Sequence, residues 1–344
     1  MYYSESMKSP KNRPESFAVT TPAQPVIGPL ERLREWQGMA EGAYSANTLR
    51  AQKADGARFQ VFCEGRGESY LPADPTTIRA FIEYEVTAGK KPATVRRYIA
   101  TIGRAHVGAG LLNPCSGEAV RLALKKMGRE TSARQRQARA LGWNEIKEFI
   151  RSSGKGLRAD RERALLCVAY ETLARRGELV ALQVRDIEFW PNGTGQALIR
   201  RGKTDAEGQG RVAYLSRETV KWLKIWLNRG KITEGPIFRR LVGRDQIGDA
   251  LHPGSIAPIF KRVAQWIGLP TRFVAEVSGH STRVGAAQDL AELDIDLAAI
   301  TQAGGWKSTR MPLQYAEKIN AARSGMAKAA AATGRDESVT EERG

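Results

Sequence analysis

Residues 164–189 read ALLCVAYETLARRGELVALQVRDIEF, and this stretch decides the fold class. Its first part is apolar on every side, which predicts a buried helix over residues 161–173. After the polar ARRGE, short β-like apolar runs separated by turn residues continue to residue 215. The pattern predicts a small antiparallel β-sheet within a chain that is otherwise mainly α-helical.

Helical patterns flank this predicted sheet on both sides. Upstream, Asn144 is expected to cap a helix that contains Ile146 and Phe149. Downstream, helical periodicity returns in the stretches 218–228, 255–267, 282–293 and 296–303. We therefore expect residues 141–332 to form one α+β domain, followed by a frayed tail over residues 333–344.

The first third of the chain carries a different pattern. Residues 1–27 are rich in Ser, Pro and charge and are expected to be a disordered arm. Residues 28–127 show five amphipathic stretches, one of which opens on Asp74-Pro75, an N-cap followed by Pro in the first turn. Residues 128–140 read as an exposed basic linker, and a solvated helix end explains them equally well.

Composition limits the classes of function. The 344 residues include 54 Lys and Arg against 37 Asp and Glu, a formal net charge of +17. Such an excess favours a polyanionic partner, nucleic acid before an acidic membrane surface. No apolar run approaches the ~20 residues that span a bilayer. The isolated Cys63, Cys115 and Cys167 argue against a disulfide framework and fit a cytoplasmic location.

The sequence contains neither a complete nucleotide-binding loop nor a common metal-binding motif. Gly202-Lys203-Thr204 resembles the end of a phosphate-binding loop, but the Gly needed five residues earlier is Ala197. The chain has no HExxH motif and no evident carboxylate cluster for a metal-dependent nuclease, so we expect no cofactor.

Other polar residues interrupt apolar surroundings and suit phosphoryl transfer. Two guanidinium groups can hold a phosphodiester, and Lys or His can move a proton. An indole N–H can donate a hydrogen bond to a phosphoryl oxygen, and a phenol can attack phosphorus. The candidates are Arg175, Glu178, Lys203, His280, Arg283, Trp306 and Tyr315.

The segments YETLARRGELVALQVRDI, GKT, SGHSTRVGAAQDLA and TQAGGWKSTRMPLQY resemble, in this order, the catalytic blocks of the tyrosine recombinases, the phage integrase family. The resemblance covers the whole second domain, and the helical first domain agrees with it in kind. It implies an all-α core-binding domain and an α+β catalytic domain that form a C-shaped DNA clamp.

The resemblance also implies how the chemistry is divided. Arg175 and Arg283 would clamp the scissile phosphate, and Tyr315 would attack it to give a 3′-phosphotyrosine. Lys203 would protonate the departing 5′ oxygen. Because Pro312 cannot lie deep in a helix, we expect a helix to begin near it, with Tyr315 in the first turn.

Three further residues receive supporting roles from the resemblance. His280 would assist proton transfer and phosphate binding. Trp306 stands where most of the family has His, and its N–H would bond a non-bridging oxygen. Glu178 would orient His280 or Lys203.

The expected partner is double-stranded DNA with inverted-repeat half-sites. The fourth predicted helix lies where the family reads the major groove, and its arginines would contact either guanine or phosphate. The expected DNA-binding residues are Arg50, Lys53, Arg96, Arg97, Ser255, Lys261 and Arg262. The Ala-rich run after Tyr315 would dock into a neighbouring subunit, giving a homotetramer on DNA and a monomer without it. No membrane is expected, and the location would be the prokaryotic cytoplasm, at the nucleoid.

Two other classes stay open at this point. A type IB topoisomerase shares the nucleophile and the phosphate clamp, but it religates its own strand without a site requirement. A catalytically silent DNA-binding protein on the same scaffold is the second class, and the complete residue set argues against it.

Overall fold

The structure is a computed structural model that describes residues 27–131, 137–200, 210–243 and 246–336. Most of the expected N-terminal arm, Lys203 and most of the expected tail lie outside the described residues. The chain divides into two compact units, residues 1–135 and residues 136–344, and each is described by itself.

The first unit consists of helices around one apolar core. Its helices are α1 (Pro29–Ala40), α2 (Ala46–Glu64), α3 (Pro75–Thr87), α4 (Pro92–Gly108) and α5 (Glu118–Glu130). Asp74 caps α3 as predicted, because its side chain accepts a hydrogen bond from the Thr76 amide at 2.8 Å. Phe81 and Ile78, on the buried face of α3, are fully enclosed by the other helices.

The expected basic linker begins as helix. Residues 128–130 continue α5, so the helix-end interpretation is correct for them. Residues 132–136 lie outside the described residues. Arg139 belongs to the second unit, where its amide donates to the carbonyl of Glu276 at 3.2 Å.

The second unit packs helices around a buried central helix. Residues 164–169 of α7 are each at most 1% exposed, which confirms the predicted buried helix. The helices are α6 (Trp143–Ser152), α7 (Leu157–Glu171), α8 (Arg176–Ala181), α9 (Arg217–Arg229), α10 (Ile256–Trp266), α11 (Thr271–Glu276), α12 (Ser281–Glu292), α13 (Leu297–Ala303), α14 (Arg310–Tyr315), α15 (Glu317–Ala322) and α16 (Gly325–Ala332). None of the helices in the described residues is long and apolar enough to cross a membrane.

The predicted antiparallel sheet is present. It consists of β1 (Ile187–Phe189), β2 (Gly195–Ile199) and β3 (Arg211–Leu215), in that order, with Ile199 opposite Arg211. A second hairpin, β4 (Arg239–Val242) with β5 (Gln246–Ala250), was not predicted. Apolar and polar residues alternate only weakly along its strands, so periodicity did not predict them.

Asn144 does not cap α6, and that prediction was wrong. Gly142 is the N-cap residue, and the Glu145 carboxylate accepts from its amide at 3.0 Å. The Trp143 amide donates to Asp289 of α12 at 2.7 Å. Of these two acceptors for the amides at the start of the helix, one therefore belongs to another helix.

Charged side chains are buried at the N-terminal end of α7. Each carboxylate there forms salt bridges with two arginines. Asp160 pairs with Arg163 at 3.1 Å and with Arg229 at 2.5 Å. Glu162 pairs with Arg161 at 3.4 Å and with Arg262 at 2.6 Å. This ion-pair network consists of Asp160, Arg161, Glu162, Arg163, Arg229 and Arg262.

Candidate active site

The C-terminal end of α7 leads into Arg175. Arg175 is the N-cap residue of α8, and Glu178 follows one turn later. The Glu178 carboxylate accepts from the Arg175 amide at 2.9 Å and from its Nη1 at 2.6 Å. The carboxylate is 5% exposed and the Arg175 side chain 22% exposed, so a buried anion holds a partly accessible cation. Glu178 was expected to orient His280 or Lys203; it acts electrostatically on His280, and Lys203 lies outside the described residues, so the expectation stays a prediction.

Arg283 lies on α12 and is held by backbone carbonyls. Its Nη1 donates to the carbonyl of Leu173, and its Nη2 donates to the carbonyl of Gly304 at 2.7 Å. Burial, followed by the positive charge of Arg175, lowers the pKa of Arg283 to about 10. The guanidinium therefore keeps its charge at neutral pH, although the residue is only 2% exposed.

Trp306 covers Arg283. The centre of its ring lies 4.2 Å from the guanidinium carbon, within the range of a cation–π interaction. The edge-on ring of Tyr315 lies 6.0 Å from the Trp306 ring centroid. Trp306 thus lies close to both Arg283 and Tyr315, and Tyr315 also interacts electrostatically with Arg283.

Tyr315 is the last residue of α14, and the prediction that it lies in the first turn was wrong. The helix begins at Arg310, two residues before Pro312. Pro312 is accommodated because the N–H groups of the first turn have no acceptor within the helix. The Tyr315 carbonyl accepts from the side-chain amides of Gln137 at 3.2 Å and Gln288 at 3.0 Å. These bonds fix the backbone behind the half-buried phenol.

His280 is exposed at the N-cap of α12. Its pKa is lowered, first by partial desolvation and then by the positive charges of Arg283, Arg176 and Arg175. Glu178 acts in the opposite direction. The imidazole is therefore neutral at neutral pH and able to accept a proton.

Arg211 belongs to this cluster but was not selected from the sequence. It begins β3, its side chain is 16% exposed, and its Nη2 lies 3.9 Å from Glu178 Oε2. Along β3, Arg211 shares the inward face with Ala213 and Leu215. That alternation was the available signal, because an Arg on the inward face of a strand requires partners.

The expected DNA-binding residues of the first unit lie on two helices. Arg50 and Lys53 of α2 and Arg96 of α4 are exposed. The guanidinium of Arg97 is exposed but pairs at 2.8 Å with Asp55, whose carboxylate is buried. Arg97 therefore neutralises a buried carboxylate of this unit, in addition to any contact with DNA.

The expected DNA-binding residues of the second unit lie at α10. Ser255 immediately precedes the helix and is half-buried, as is Lys261. Arg262 pairs with Glu162 of the ion-pair network. Lys203, the expected proton donor, lies outside the described residues.

The second unit thus brings together five of the candidates from distant parts of the chain: Arg175, Glu178, Arg283, Trp306 and Tyr315. The charges of Arg175 and Arg283 also influence His280. Several cations with few anions beside a phenol can hold a phosphodiester at a nucleophile. In the described part of the chain, no group of three His, Cys, Asp or Glu is arranged to hold a metal ion.

Comparison with known proteins gives a consistent family match. The sequence model described as the phage integrase family matches residues 139–321. An integrase/recombinase xerD homolog from Selenomonas ruminantium is 31% identical over 294 residues, covering 81% of this chain and 84% of that protein. The recombinase cre of Escherichia phage P1 is 25% identical over 304 residues, covering 83% of this chain and 88% of that protein.

Solved structures share the fold at lower identity. A Tn1549 transposon integrase, solved in complex with circular intermediate DNA, matches with a TM-score of 0.60 at 15% identity, covering 88% of this chain and 99% of that chain. A lambda integrase dimer bound to a COC' core site matches with a TM-score of 0.55 at 17% identity, covering 82% and 93%.

Proposed function

The chain belongs to the phage integrase family, and from this premise we propose how its own residues cut and rejoin DNA. Membership makes it a site-specific tyrosine recombinase, and thus a DNA strand transferase. The observation that carries the proposal is the joint placement of Arg175, Arg283, Trp306 and Tyr315 in the second unit.

Strand cleavage begins with attack by the Tyr315 phenolic oxygen on the scissile phosphorus. The bond from phosphorus to the 5′ oxygen breaks, and the 3′ end stays on the protein as a phosphotyrosine. Charge builds up on the non-bridging oxygens, and the guanidinium groups of Arg175 and Arg283 stabilise it. Both guanidinium groups are charged before the phosphate arrives, although the indole that covers Arg283 first has to move.

Proton transfer falls to His280 and Lys203. The lowered pKa of His280 keeps its imidazole neutral, so it can take the phenolic proton as Tyr315 attacks. Lys203 donates a proton to the departing 5′ oxygen, as the resemblance to the family implies. Rejoining reverses these steps when a 5′ hydroxyl of the other duplex attacks the phosphotyrosine, and a Holliday junction results.

Trp306 changes its role during the reaction. Its ring covers the guanidinium of Arg283, which is 2% exposed. A phosphate therefore reaches Arg283 once the indole turns away, and the freed N–H then donates to a non-bridging oxygen. The contact of Trp306 with Arg283 belongs to the resting arrangement of the site.

No metal is required for these steps. The arginines supply the positive charge that a divalent cation supplies in other nucleases, and Tyr315 supplies the nucleophile. Cleavage should therefore continue at an unchanged rate in excess EDTA. A rate that depends on added magnesium would contradict this part of the proposal.

Assembly follows the pattern that the family resemblance implies. We expect monomers in solution and four copies on two inverted-repeat sites, at the nucleoid. Residues after Tyr315 form α15 and α16, and Met326 of α16 is 70% exposed. Removing the residues beyond Glu317 should leave DNA binding intact and abolish recombination, measured by gel shift and by plasmid recombination. Unimpaired recombination would count against an assembly role.

The target DNA can be found with the chain itself. The Tyr315→Phe variant should bind its site without cutting it, so it can select duplexes from a randomised inverted-repeat library. Wild-type chain is then mixed with a selected duplex nicked beside the scissile phosphate, which traps the covalent adduct. Covalent adduct that forms with the selected duplex and not with unselected duplexes would support the proposal. Relaxation of supercoiled plasmid lacking the site would indicate a topoisomerase instead.

A further inference from the structure

Two arginines on different elements bridge the same two turns of the backbone. Arg283 donates to the carbonyls of Leu173 and Gly304. Arg211 donates to the carbonyls immediately before them in the chain, Thr172 at 2.5 Å and Ala303 at 3.1 Å. The two guanidinium groups therefore join one pair of consecutive carbonyls to another.

Both turns are the C-terminal ends of helices. Thr172 is the C-cap residue of α7, and Gly304 is the C-cap residue of α13. The last carbonyls of a helix lack partners within it and carry the negative end of the helix dipole. A guanidinium has donors in a fixed planar fork, so it can satisfy two such carbonyls without losing its charge.

Each turn leads directly into a residue of the site. The first turn continues into Arg175, whose partner Glu178 also lies 3.9 Å from Arg211. The second continues through Gly305 to Trp306. Gly305 has a φ of +58°, and a Cβ there would lie 2.6 Å from Cδ of Arg211. Arg211 is thus packed against the backbone that sets the position of Trp306.

We propose that Arg211 is a positioning residue that fixes Arg175 and Trp306 relative to each other and does not touch DNA. This inference rests on the proposed function. Arg283 bridges the same turns, but it also has to bind the phosphate. Arg211 is free of that task, so it keeps the two turns together while Arg283 and Trp306 rearrange.

The test compares substitutions of Arg211 on a duplex selected with Tyr315→Phe and nicked beside the scissile phosphate. Arg211→Ala should leave the Kd for this duplex little changed and lower the single-turnover rate of adduct formation about 100-fold, since small displacements of catalytic groups cost that much. Arg211→Lys keeps the charge but cannot span both carbonyls, so it should restore little of the rate.

Arg239→Ala is the matched control. Arg239 also lies on a strand of the second unit and also donates to two backbone carbonyls, those of Pro236 at 3.0 Å and Glu234 at 2.6 Å. Both of those acceptors belong to one local loop, and neither belongs to the two turns that Arg211 and Arg283 bridge. This variant should lose some thermal stability and cleave at the wild-type rate.

Each outcome is decisive. If the wild-type chain forms no adduct, the proposed function fails. If it does, a wild-type rate in Arg211→Ala, full recovery in Arg211→Lys, or an equal loss of DNA affinity and rate would overturn the positioning role alone. Should Arg211→Ala fail to fold, as judged by circular dichroism, the rate of Arg211→Lys decides the matter.

Discussion

At the N-terminal end of α7, the buried Arg161 and Arg163 are accompanied by two buried carboxylates, Glu162 and Asp160. The remaining partners of these acids, Arg229 and Arg262, are about half exposed. Buried positive and negative charges are therefore equal in number there. Each ion there has lost its hydration and gained a partner, so removal of one partner would leave an uncompensated buried charge and destabilise the fold.

At the C-terminal end of the same helix, the balance is different. Among the described residues, Arg175 and Arg211 pair with the carboxylate of Glu178, and Arg211 and Arg283 donate to backbone carbonyls. Glu171, the last residue of α7, accepts from the Ser216 amide instead. Carbonyl dipoles satisfy hydrogen bonds without cancelling charge. The two ends therefore differ in net charge: carboxylates balance the buried arginines at the N-terminal end, whereas the arginines at the C-terminal end keep positive charge that a phosphate can neutralise.

The largest expected effect concerns Tyr315, the proposed nucleophile, which lies near the arginines at the C-terminal end of α7. Tyr315→Phe removes the phenolic oxygen and keeps the ring that packs on Trp306. DNA binding should persist, and covalent adduct should disappear entirely, as seen on a denaturing gel with the nicked duplex. Adduct that survives in this variant would assign the nucleophile to another residue.

The next effect tests whether the uncompensated charge serves chemistry. Arg283→Ala should raise the cleavage barrier by ~3–4 kcal/mol, comparable to losing one preorganised donor to a developing charge. Single-turnover rates at saturating DNA measure this. If Arg283→Ala cleaves as fast as the wild type, the two ends of α7 do not differ in function as we describe.

The opposite effect is expected at the balanced end. Asp160→Asn leaves Arg163 buried without its anion, which should cost ~3 kcal/mol of unfolding free energy. Urea denaturation measures the loss, and the cleavage rate per folded molecule should not change. Asp249→Asn is the control, since Asp249 and Arg240 form an exposed pair that should contribute little. If the folded Asp160→Asn variant cleaved DNA more slowly than the wild type, the ion-pair network would contribute to catalysis and not only to stability.

The smallest effect is a shift in pH dependence. The lowered pKa of His280 means that the imidazole stays neutral below the ordinary histidine range, near 6.5. The cleavage rate should therefore hold as the pH falls through that range and decline only at lower pH. Arg176→Ala removes one of the charges that oppose protonation, so the acid limb should move to higher pH. An unchanged limb would show that His280 does not control it.

Local patterns carried much of the fold. The apolar run of α7 predicted a buried helix, and the short apolar runs after it predicted the antiparallel sheet, because helix and strand periodicities are properties of neighbouring residues. The cap of α6 and the placement of Tyr315 in the first turn of α14 were mistaken. At the start of α6, one hydrogen-bond acceptor is Asp289, which lies 146 residues along the chain from Trp143, whose amide donates to it.

Residue chemistry supplied Arg175, His280, Arg283, Trp306 and Tyr315 as candidates from the sequence alone, and the resemblance of their segments to the tyrosine recombinases assigned their expected roles. Only the tertiary structure decided what holds them. Arg283 donates a hydrogen bond to a carbonyl 110 residues away in the sequence, and Arg211 donates one to a carbonyl 92 residues away. Hydrogen bonds of that range depend on how helix ends are packed together, and no local pattern of side chains records where a distant carbonyl will lie.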